Sequence, residues 1–428
     1  MQKIQSQAEW MARAAAVMPA GGNGNFDPGI IIRNGKGSRI WDVDGNEYVD
    51  YLISSGPLLL GHHHPEVMDS IFAQLGQGLT FFANNTPGIE LAERIVAAMP
   101  CAEQLRYVST GGEADMYAMR LARAATGRAK ILKFEGGYHG MSAEAQMSLA
   151  PAKPGNFPNP VPDSAGIPDS VTREVLIAPY NDADGLASIL DEYGAEIAAI
   201  IIEPLQRIIP PAPGFLQAVR DLCDRHGILL IFDEIVTFLR FAYGGAQEHY
   251  GVIPDIATFG KVVGGGFPLA GIAASRDIMA CFDKDRAGPE RWLMQSGTLS
   301  GNPLAAAAGA TTMDILARPG TYDRLRGIGQ SLMDMQADAL NAAGIAHQVL
   351  GDQTLFDVVF TEGKVTNYRD MLACEAGPYQ RYNQVLRARG VFKPVGKLYP
   401  SLALTDADLD LTRSAVVAAV AAVSGAAA

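Results

Sequence analysis

The sequence predicts an α/β fold built around a mainly parallel sheet. Short apolar runs at 198–202 and 228–232 alternate with helical patterns at 113–125 and 213–227. This alternation is typical of βαβ units, whose interior strands are apolar on both faces because helices cover both sides of the sheet. The length of 428 residues exceeds one ordinary domain, so we expect a smaller domain beside the large one.

The two ends of the chain predict the small domain. Residues 33–52 combine alternating apolar residues with the turn dipeptides Asn-Gly and Asp-Gly, which indicate an antiparallel hairpin. After residue 315 helical patterns dominate, with a strand predicted at 354–360. We therefore predict a large domain at 56–314 and a small α+β domain composed of 1–55 and 315–428.

Two terminal helices and one long loop complete the predicted organisation. Residues 1–20 mix polar residues into every turn and lack the apolar centre of a signal peptide, which favours an amphipathic helix. The apolar tail 415–428 is shorter than the about 20 residues that cross a bilayer, and we interpret it as a closing helix. The Pro- and Gly-rich segment 150–170 predicts an irregular loop, of the kind that often forms a lid. No membrane span is predicted.

The composition opposes several classes of partner. Asp and Glu number 46 against 34 Lys and Arg, and the net charge of -12 disfavours nucleic acid. The cysteines form no CxxC pair, which predicts neither a zinc site nor a disulfide framework and fits the cytoplasm. Three adjacent histidines, His62 to His64, cannot converge on one ion without severe distortion, so we predict no metal site. The cysteines are Cys101, Cys223, Cys281 and Cys374.

A carboxylate at the end of an apolar strand is the first candidate for chemistry. The stretch ILLIFDEI places Asp233 at the carboxyl end of a predicted strand, the edge at which open α/β sheets bind ligands. Paired with a protonated pyridine nitrogen, this carboxylate would keep the ring an electron sink. The alternative is a helix N-cap without a ligand.

A lysine between an apolar strand and three glycines is the second candidate. In PDIATFGKVVGGGFPLAG, Lys261 would supply a nucleophilic amine if it were partly desolvated. The run Gly264–Gly266 would let the backbone approach a ligand closely. A solvated surface charge is the alternative.

Two further turns would hold a phosphate and a planar ring. Thr110, Gly111 and Gly112 precede a predicted helix, where free N–H groups and the helix dipole bind phosphate. Tyr138, followed by His139, would stack on a heteroaromatic ring. An ordinary strand-to-helix turn and core packing are the respective alternatives.

The conjunction of these features predicts pyridoxal 5'-phosphate as the cofactor. The Thr298 hydroxyl in SGTLSGNP could also reach a phosphate, and Glu203 ends a further strand at the ligand edge. An electrophile anchor, a ring counter-ion, a stacking face and a phosphate cradle are the parts that this cofactor needs.

The same residues resemble the class III aminotransferases of fold type I, most closely the glutamate-1-semialdehyde 2,1-aminomutase group. The resemblance covers nearly the whole chain and is strongest at 37–51, 244–268 and 296–309. It implies a fold type I PLP-transferase in which the large domain binds the cofactor. It also implies a homodimer whose active site is shared across the subunits.

The resemblance assigns a role to each candidate. Lys261 would form the Schiff base, Asp233 would hold the pyridine nitrogen and Tyr138 would lie against the ring, with His139 beside it. The resemblance also implies that Thr110 and Gly111 bind the phosphate and that Thr298 reaches in from the second subunit. Glu203 and Gln206 fall in the family's EP-x-x segment.

Departures from the family lie at the substrate end. The aminomutases hold the substrate carboxylate with an Arg two residues before a Phe, whereas this chain has Gly24 before Phe26. Ser55 stands where the family has a Trp, and the family's AGSG lid is replaced by 150–170. A carboxylate could instead be held by Arg240, Lys393 or Lys397, although the two lysines are equally interpretable as surface charges.

We therefore predict an aminotransferase that moves an amino group between an amino acid or amine and a carbonyl acceptor, by a ping-pong aldimine and ketimine mechanism. An intramolecular aminomutase is the first alternative. A non-catalytic PLP-binding sensor is the second, and it is disfavoured because no basic helix-turn-helix precedes residue 30.

Overall fold

The computed structural model describes residues 6–24 and 29–425. The strands are β1 (Ile32–Lys36), β2 (Arg39–Asp42), β3 (Glu47–Asp50), β4 (Gln104–Val108), β5 (Lys130–Phe134), β6 (Val175–Ala178), β7 (Ile197–Ile202), β8 (Leu229–Glu234), β9 (Ile256–Phe259), β10 (Ala270–Ala274), β11 (Gln348–Asp352), β12 (Leu355–Val359) and β13 (Val391–Phe392). The α-helices are α1 (Gln7–Val17), α2 (Pro65–Leu75), α3 (Thr86–Ala98), α4 (Gly111–Thr126), α5 (Asp169–Thr172), α6 (Ala183–Tyr193), α7 (Phe215–His226), α8 (Ala246–Tyr250), α9 (Arg276–Met279), α10 (Lys284–Ala287), α11 (Pro303–Leu316), α12 (Thr321–Ala342), α13 (Tyr368–Leu372), α14 (Ala376–Ala388) and α15 (Asp406–Ser424).

A seven-stranded sheet carries the fold. Its strand order is β4-β10-β9-β8-β7-β5-β6, and β10 runs antiparallel to both of its neighbours while the other pairings are parallel. The predicted mainly parallel sheet is confirmed, and so is the α/β class.

Helices cover both faces of this sheet. Every residue of β7 is buried. Ile200 and Ile202 lie in the core cluster that contains α6 and α7, whereas Ala198 and Ile201 lie in the cluster that contains α4. A strand that is apolar on both sides needs such cover, which explains the unbroken apolar run at 198–202.

The two ends of the chain meet in a four-stranded sheet of order β1-β2-β3-β13. Strands β1, β2 and β3 are antiparallel, as the hairpin at 33–52 predicted. Strand β13 pairs in parallel with β3, so Val391 lies opposite Val49. The C-terminal region therefore packs on the N-terminal strands, while the boundaries at 56 and 314 stay predictions.

The segment 150–170 is irregular until α5 begins, as predicted. Two side chains from one later helix hold it. The Tyr368 hydroxyl donates to the carbonyl oxygen of Pro151 at 3.1 Å, and Arg369 donates to that of Gly155 at 2.7 Å. A lid role for this segment stays a prediction. Among the described helices, none has the length and apolarity that crossing a membrane requires.

Candidate active site

The predicted site residues lie at the carboxyl ends of strands that run in the same direction, since antiparallel β10 stands between β4 and β9. Asp233 lies within β8 near its end, Glu203 follows β7, and Tyr138 follows β5. Lys261 follows β9, and Thr110 follows β4. Parallel strands end at the same edge of a sheet, so the topology gathers these residues where α/β sheets bind ligands.

Asp233 is held by two donors and is nearly buried, at 5% exposure. One carboxylate oxygen lies 2.8 Å from Nδ1 of His139, and the other accepts the backbone N–H of Ile235 at 3.1 Å. No helix begins here in the described chain before α8, so the N-cap interpretation of Asp233 is wrong. His139 is itself buried, and its Nε2 has no partner among the described residues. The pair fixes a carboxylate at the ligand edge.

Lys261 adopts an uncommon backbone conformation. It begins a short 3-10 helix, Lys261–Gly264, with φ at 50°, a region that costs free energy for a residue with a side chain. Its Nζ donates to the carbonyl oxygen of Ser55 at 2.8 Å. Ser55 also has a positive φ, at 66°. Two strained segments that are distant in sequence therefore meet at the amine.

The surroundings of Lys261 favour its neutral form. Burial lowers the pKa of Lys261, and the charge of nearby Asp233 acts in the opposite direction. A lower pKa increases the fraction of neutral, nucleophilic amine at neutral pH. The interpretation of Lys261 as a solvated surface charge is therefore wrong.

The start of α4 has the form of a phosphate cradle. The Thr110 hydroxyl accepts the N–H of Glu113, and the Glu113 carboxylate accepts the N–H of Thr110 in return. This capping box leaves the N–H groups of Gly111 and Gly112 without an acceptor in the described part of the chain. A Cβ on Gly111 would lie 2.9 Å from Ile235. Glycine therefore keeps the turn close to the strand that carries Asp233.

Tyr138 is exposed, at 41%. Its backbone N–H donates to Glu203 at 2.8 Å, and the Arg207 guanidinium lies 5.0 Å from the ring centroid. Glu203 thus positions the tyrosine. Gln206 is buried and donates to the carbonyl oxygen of Glu135 at 2.7 Å, so its side chain holds the backbone near the site.

Thr298 does not join this group within one chain. It is exposed and lines a cleft of about 830 Å³. Phe81 and Phe82 line the same cleft and are 53% and 73% exposed. The resemblance had placed Thr298 in the site of a second subunit, and that role stays a prediction.

Two of the predicted substrate cations are paired inside the protein instead. Arg240 is fully buried and donates to the carbonyl oxygens of Gly56, Thr354 and Pro400, and burial lowers its pKa to about 10. It serves as a link between segments, so its assignment to a substrate carboxylate is wrong.

Lys393 is also wrongly assigned to the substrate. Its Nζ lies 2.8 Å from the Asp357 carboxylate and also donates to the Tyr379 hydroxyl. The lysine side chain is 2% exposed and the aspartate is fully buried. The surface-charge alternative for Lys393 is equally wrong.

Lys397 differs from both. It is half-buried, and in the described part of the chain its ammonium makes no hydrogen bond or ion pair. It nevertheless lies near the site, since its charge acts on Lys261 and Tyr399. A cation without a counter-ion beside the reactive amine suits an anionic substrate group. Ser55 contacts the Lys261 amine through its backbone carbonyl oxygen. Gly24 is exposed, and Phe26 lies outside the described residues.

Sequence reasoning missed Asp115 and Tyr399. Asp115 is buried on α4, and its carboxylate lies within 4.8 Å of Asp233 and His139. Tyr399 is buried, and the positive charges of Lys397, Lys261 and Arg240 outweigh burial and lower its pKa. In the sequence, Asp115 could have been noticed as an acid on the apolar side of the helix predicted at 113–125. No sequence pattern marked Tyr399 as a site residue. Of the three adjacent histidines, His62 lies with its Nε2 2.7 Å from the Asp50 carboxylate.

The fold and this edge of the sheet are those of an α/β enzyme that depends on pyridoxal phosphate. The chain belongs to the class III aminotransferase family, whose model, described as aminotransferase class-III, matches residues 21–420. The resemblance predicted from the sequence is confirmed.

Three relatives show the range of reactions around this chain. Glutamate-1-semialdehyde 2,1-aminomutase 2 of Brevibacillus brevis is 40% identical over 389 residues, which are 90% of this chain and 89% of that protein. An omega-transaminase from Sphaerobacter thermophilus superposes with a TM-score of 0.92 at 33% identity, covering 99% of this chain and 98% of its own. A β-phenylalanine aminotransferase from Variovorax paradoxus gives 0.86 at 31% identity, covering 96% and 93%.

Pyridoxal phosphate is the cofactor of this family and of this chain. The residues present fit it. The free N–H groups of Gly111 and Gly112 suit the phosphate, the Asp233 carboxylate suits a protonated ring nitrogen, and the Lys261 amine suits the aldehyde. A Cβ on Gly140 would lie 2.4 Å from the Gly112 Cα, so the cradle and the loop that carries Tyr138 require glycine where they meet.

Proposed function

We propose that this enzyme transfers an amino group from an amino acid or amine to a separate carbonyl acceptor, in two half-reactions. The observation that carries the proposal is the position of Lys261, directly after β9 and at the same edge of the sheet as Asp233 at the end of β8, where burial lowers the pKa of the lysine. When bound, pyridoxal phosphate supplies the carbonyl that takes the amino group and the ring that takes the electrons.

The residues of the chain have separable tasks in this reaction. Lys261 Nζ holds the cofactor between turnovers and, once displaced by the amino donor, takes the proton from the substrate carbon. Asp233 holds the proton on the ring nitrogen. Because a carboxylate only accepts hydrogen bonds, His139 donates from Nδ1 and keeps Asp233 in place at 2.8 Å. Tyr138 covers one face of the ring.

We propose that Lys397 binds the substrate carboxylate. Arg240 and Lys393 are both paired with groups of the protein, which leaves Lys397 as the cation beside Lys261 that has no counter-ion among the described residues. Lys397 would thus take the role of the family's arginine, which is absent at Gly24. A carboxylate-binding lysine favours amino acids over plain amines as donors.

The decisive test of the cofactor assignment uses the amine itself. Purified enzyme should absorb visible light, and borohydride should fix the mass of the cofactor on Lys261. The Lys261→Ala variant should be colourless and inactive, while Lys153→Ala, at an exposed lysine of the 150–170 segment, serves as the matched control. Full activity of Lys261→Ala would refute the proposal.

An intramolecular aminomutase is the second candidate, favoured by the relative that is 40% identical. An aminomutase would turn over glutamate-1-semialdehyde with no second substrate, whereas a transaminase needs an amino donor and an acceptor. The half-reaction with single amino donors decides between them. A non-catalytic sensor would show neither turnover.

We also propose that the enzyme is a homodimer with a shared site. The exposed apolar side chains around Thr298, including Phe81 and Phe82, suit burial against a second copy. Light scattering should give twice the chain mass. Mixing Lys261→Ala with Thr298→Ala subunits should restore one intact site per heterodimer and raise activity above that of either variant alone; no gain would contradict sharing.

A further inference from the structure

A second acid lies beneath the carboxylate that we assign to the ring nitrogen. Asp115 is on α4 and is 2% exposed. Its carboxylate, that of Asp233 and a ring nitrogen of His139 lie within 4.8 Å of one another. Two carboxyl groups this close in a buried site cannot both be ionised without a large cost in free energy. One of them must hold a proton.

The hydrogen-bond partners decide which acid holds it. Asp233 faces two donors, the His139 ring and the Ile235 N–H, and such donors stabilise an ionised carboxylate. Asp115 accepts one hydrogen bond, from the Thr258 hydroxyl at 2.7 Å. No lysine or arginine of the described chain pairs with it. The proton therefore belongs on Asp115.

Charges on the surrounding elements support this allocation. Burial, followed by the negative charges of Asp233 and Glu203, holds the pKa of Asp115 well above its ordinary value. The groups that face Asp115 are Asp233 on β8, Glu203 after β7, His139 after β5 and the neutral Thr258 hydroxyl on β9. Their net effect opposes a second negative charge.

We propose that Asp115 stays protonated and donates a hydrogen bond to Asp233, as a positioning residue that sets the basicity of the carboxylate under the cofactor's ring nitrogen. A neutral donor withdraws charge from Asp233 without neutralising it. Asp233 thus carries one negative charge that is shared over three donors, and it is a weaker base than an aspartate with two. The link to the cofactor rests on the proposed role of Asp233.

Two substitutions separate a donor from a charge. Asp115→Asn keeps a donor toward Asp233 and an acceptor for Thr258, so the pH at which the cofactor absorbance titrates should stay close to that of wild type. Asp115→Leu removes the donor and should move that titration to higher pH. If Asp115 were ionised, Asp115→Asn would instead shift the titration to lower pH, and that result would overturn the proposal.

The protonation state can be read without turnover. The infrared spectrum of the enzyme should contain a protonated-carboxyl stretch, sensitive to deuteration, that Asp115→Asn removes. Asp338→Asn, at an exposed acid of α12, is the matched control and should leave that band. A spectrum without the band overturns the proposal. Stoichiometric metal that is bound by wild type and lost in Asp115→Asn would also overturn it.

The two proposals fail in different ways. If Asp233→Asn leaves the cofactor absorbance unchanged, the assignment of Asp233 to the ring nitrogen is wrong, whatever the infrared result. If Asp233→Asn changes the absorbance but the infrared band is absent, the assignment of the proton to Asp115 is wrong.

Discussion

Lys393 and Lys397 should respond to the same substitution in different ways, one through stability and the other through substrate binding. Lys393 is buried and paired with Asp357, whereas Lys397 is half-buried and makes no ion pair in the described chain. Methionine keeps most of the length of either side chain and removes its charge. Lys393→Met should therefore reduce stability, and Lys397→Met should reduce substrate binding.

The magnitude for Lys393 follows from what Asp357 retains. Removing one partner of a buried ion pair costs about 3–5 kcal/mol. Asp357 keeps the Tyr379 hydroxyl at 2.8 Å and the Val358 N–H at 2.9 Å, so we expect the lower end, about 3 kcal/mol. Replacing both partners by apolar residues, as Lys393→Met with Asp357→Leu, should restore much of this loss because no charge is left unpaired.

The magnitude for Lys397 follows from one charge-assisted contact. A hydrogen bond to a charged group contributes about 1.5–3 kcal/mol, and each 1.4 kcal/mol is about tenfold in affinity. Lys397→Met should therefore raise the KM for an amino acid donor by roughly ten- to a hundredfold. The KM for the matching amine that lacks the carboxylate should not change.

Urea unfolding and donor kinetics, measured on both variants, form the assay. The reasoning is refuted if Lys393→Met unfolds like wild type and raises the KM for the amino acid. It is equally refuted if Lys397→Met affects the amino acid and the amine alike, since a carboxylate contact acts on only one of them.

Three further predictions concern the cofactor end. Cofactor-free enzyme should recover its absorbance with pyridoxal phosphate at a rate that rises with pH. The rate should level off below the pKa of about 10.4 of a free lysine, because burial lowers the pKa of Lys261. A rate that levels off only at the free-lysine value would contradict the lowered pKa. Tyr138→Ala should weaken cofactor binding roughly two- to tenfold in equilibrium dialysis, because the ring contact contributes about 0.5–1.5 kcal/mol. Tyr138→Phe should bind the cofactor like wild type. A Tyr138→Ala affinity equal to that of wild type would contradict the stacking. Lys133 is 1% exposed and donates to three carbonyl oxygens of the loop that carries Tyr138, so Lys133→Met should cost at least about 2 kcal/mol in urea unfolding; an unchanged midpoint would show that the loop does not depend on it.

The fold was predictable because its signals are local. The apolar run of β7 needs helices on both faces, and the turn dipeptides at 33–52 specify a hairpin. The placement of Lys261 and Asp233 at one edge was predictable for a related reason, because each stands at the carboxyl end of an apolar strand and strands of a parallel sheet end at one edge. Chain order alone therefore brings them together.

The state of each charge was not predictable, because it depends on partners that are distant in sequence. Nothing around Lys393 indicates that Asp357 lies 2.8 Å away. Arg240 is bound to carbonyl oxygens of three separate segments. Sequence composition counts such residues as free cations, and only packing separates a structural cation from one that is available to a substrate.

Arg240 shows what such a cation contributes instead. It donates to the carbonyl oxygen of Gly56, the residue after Ser55, whose own carbonyl accepts the Lys261 amine. Ser55 and Lys261 both have positive φ, and strained residues persist only where their surroundings hold them. A Cβ on Gly56 would lie 3.2 Å from Tyr399, so this turn is also closely packed. The cation that the sequence suggested for the substrate therefore holds the backbone turn whose Ser55 carbonyl oxygen accepts the Lys261 amine.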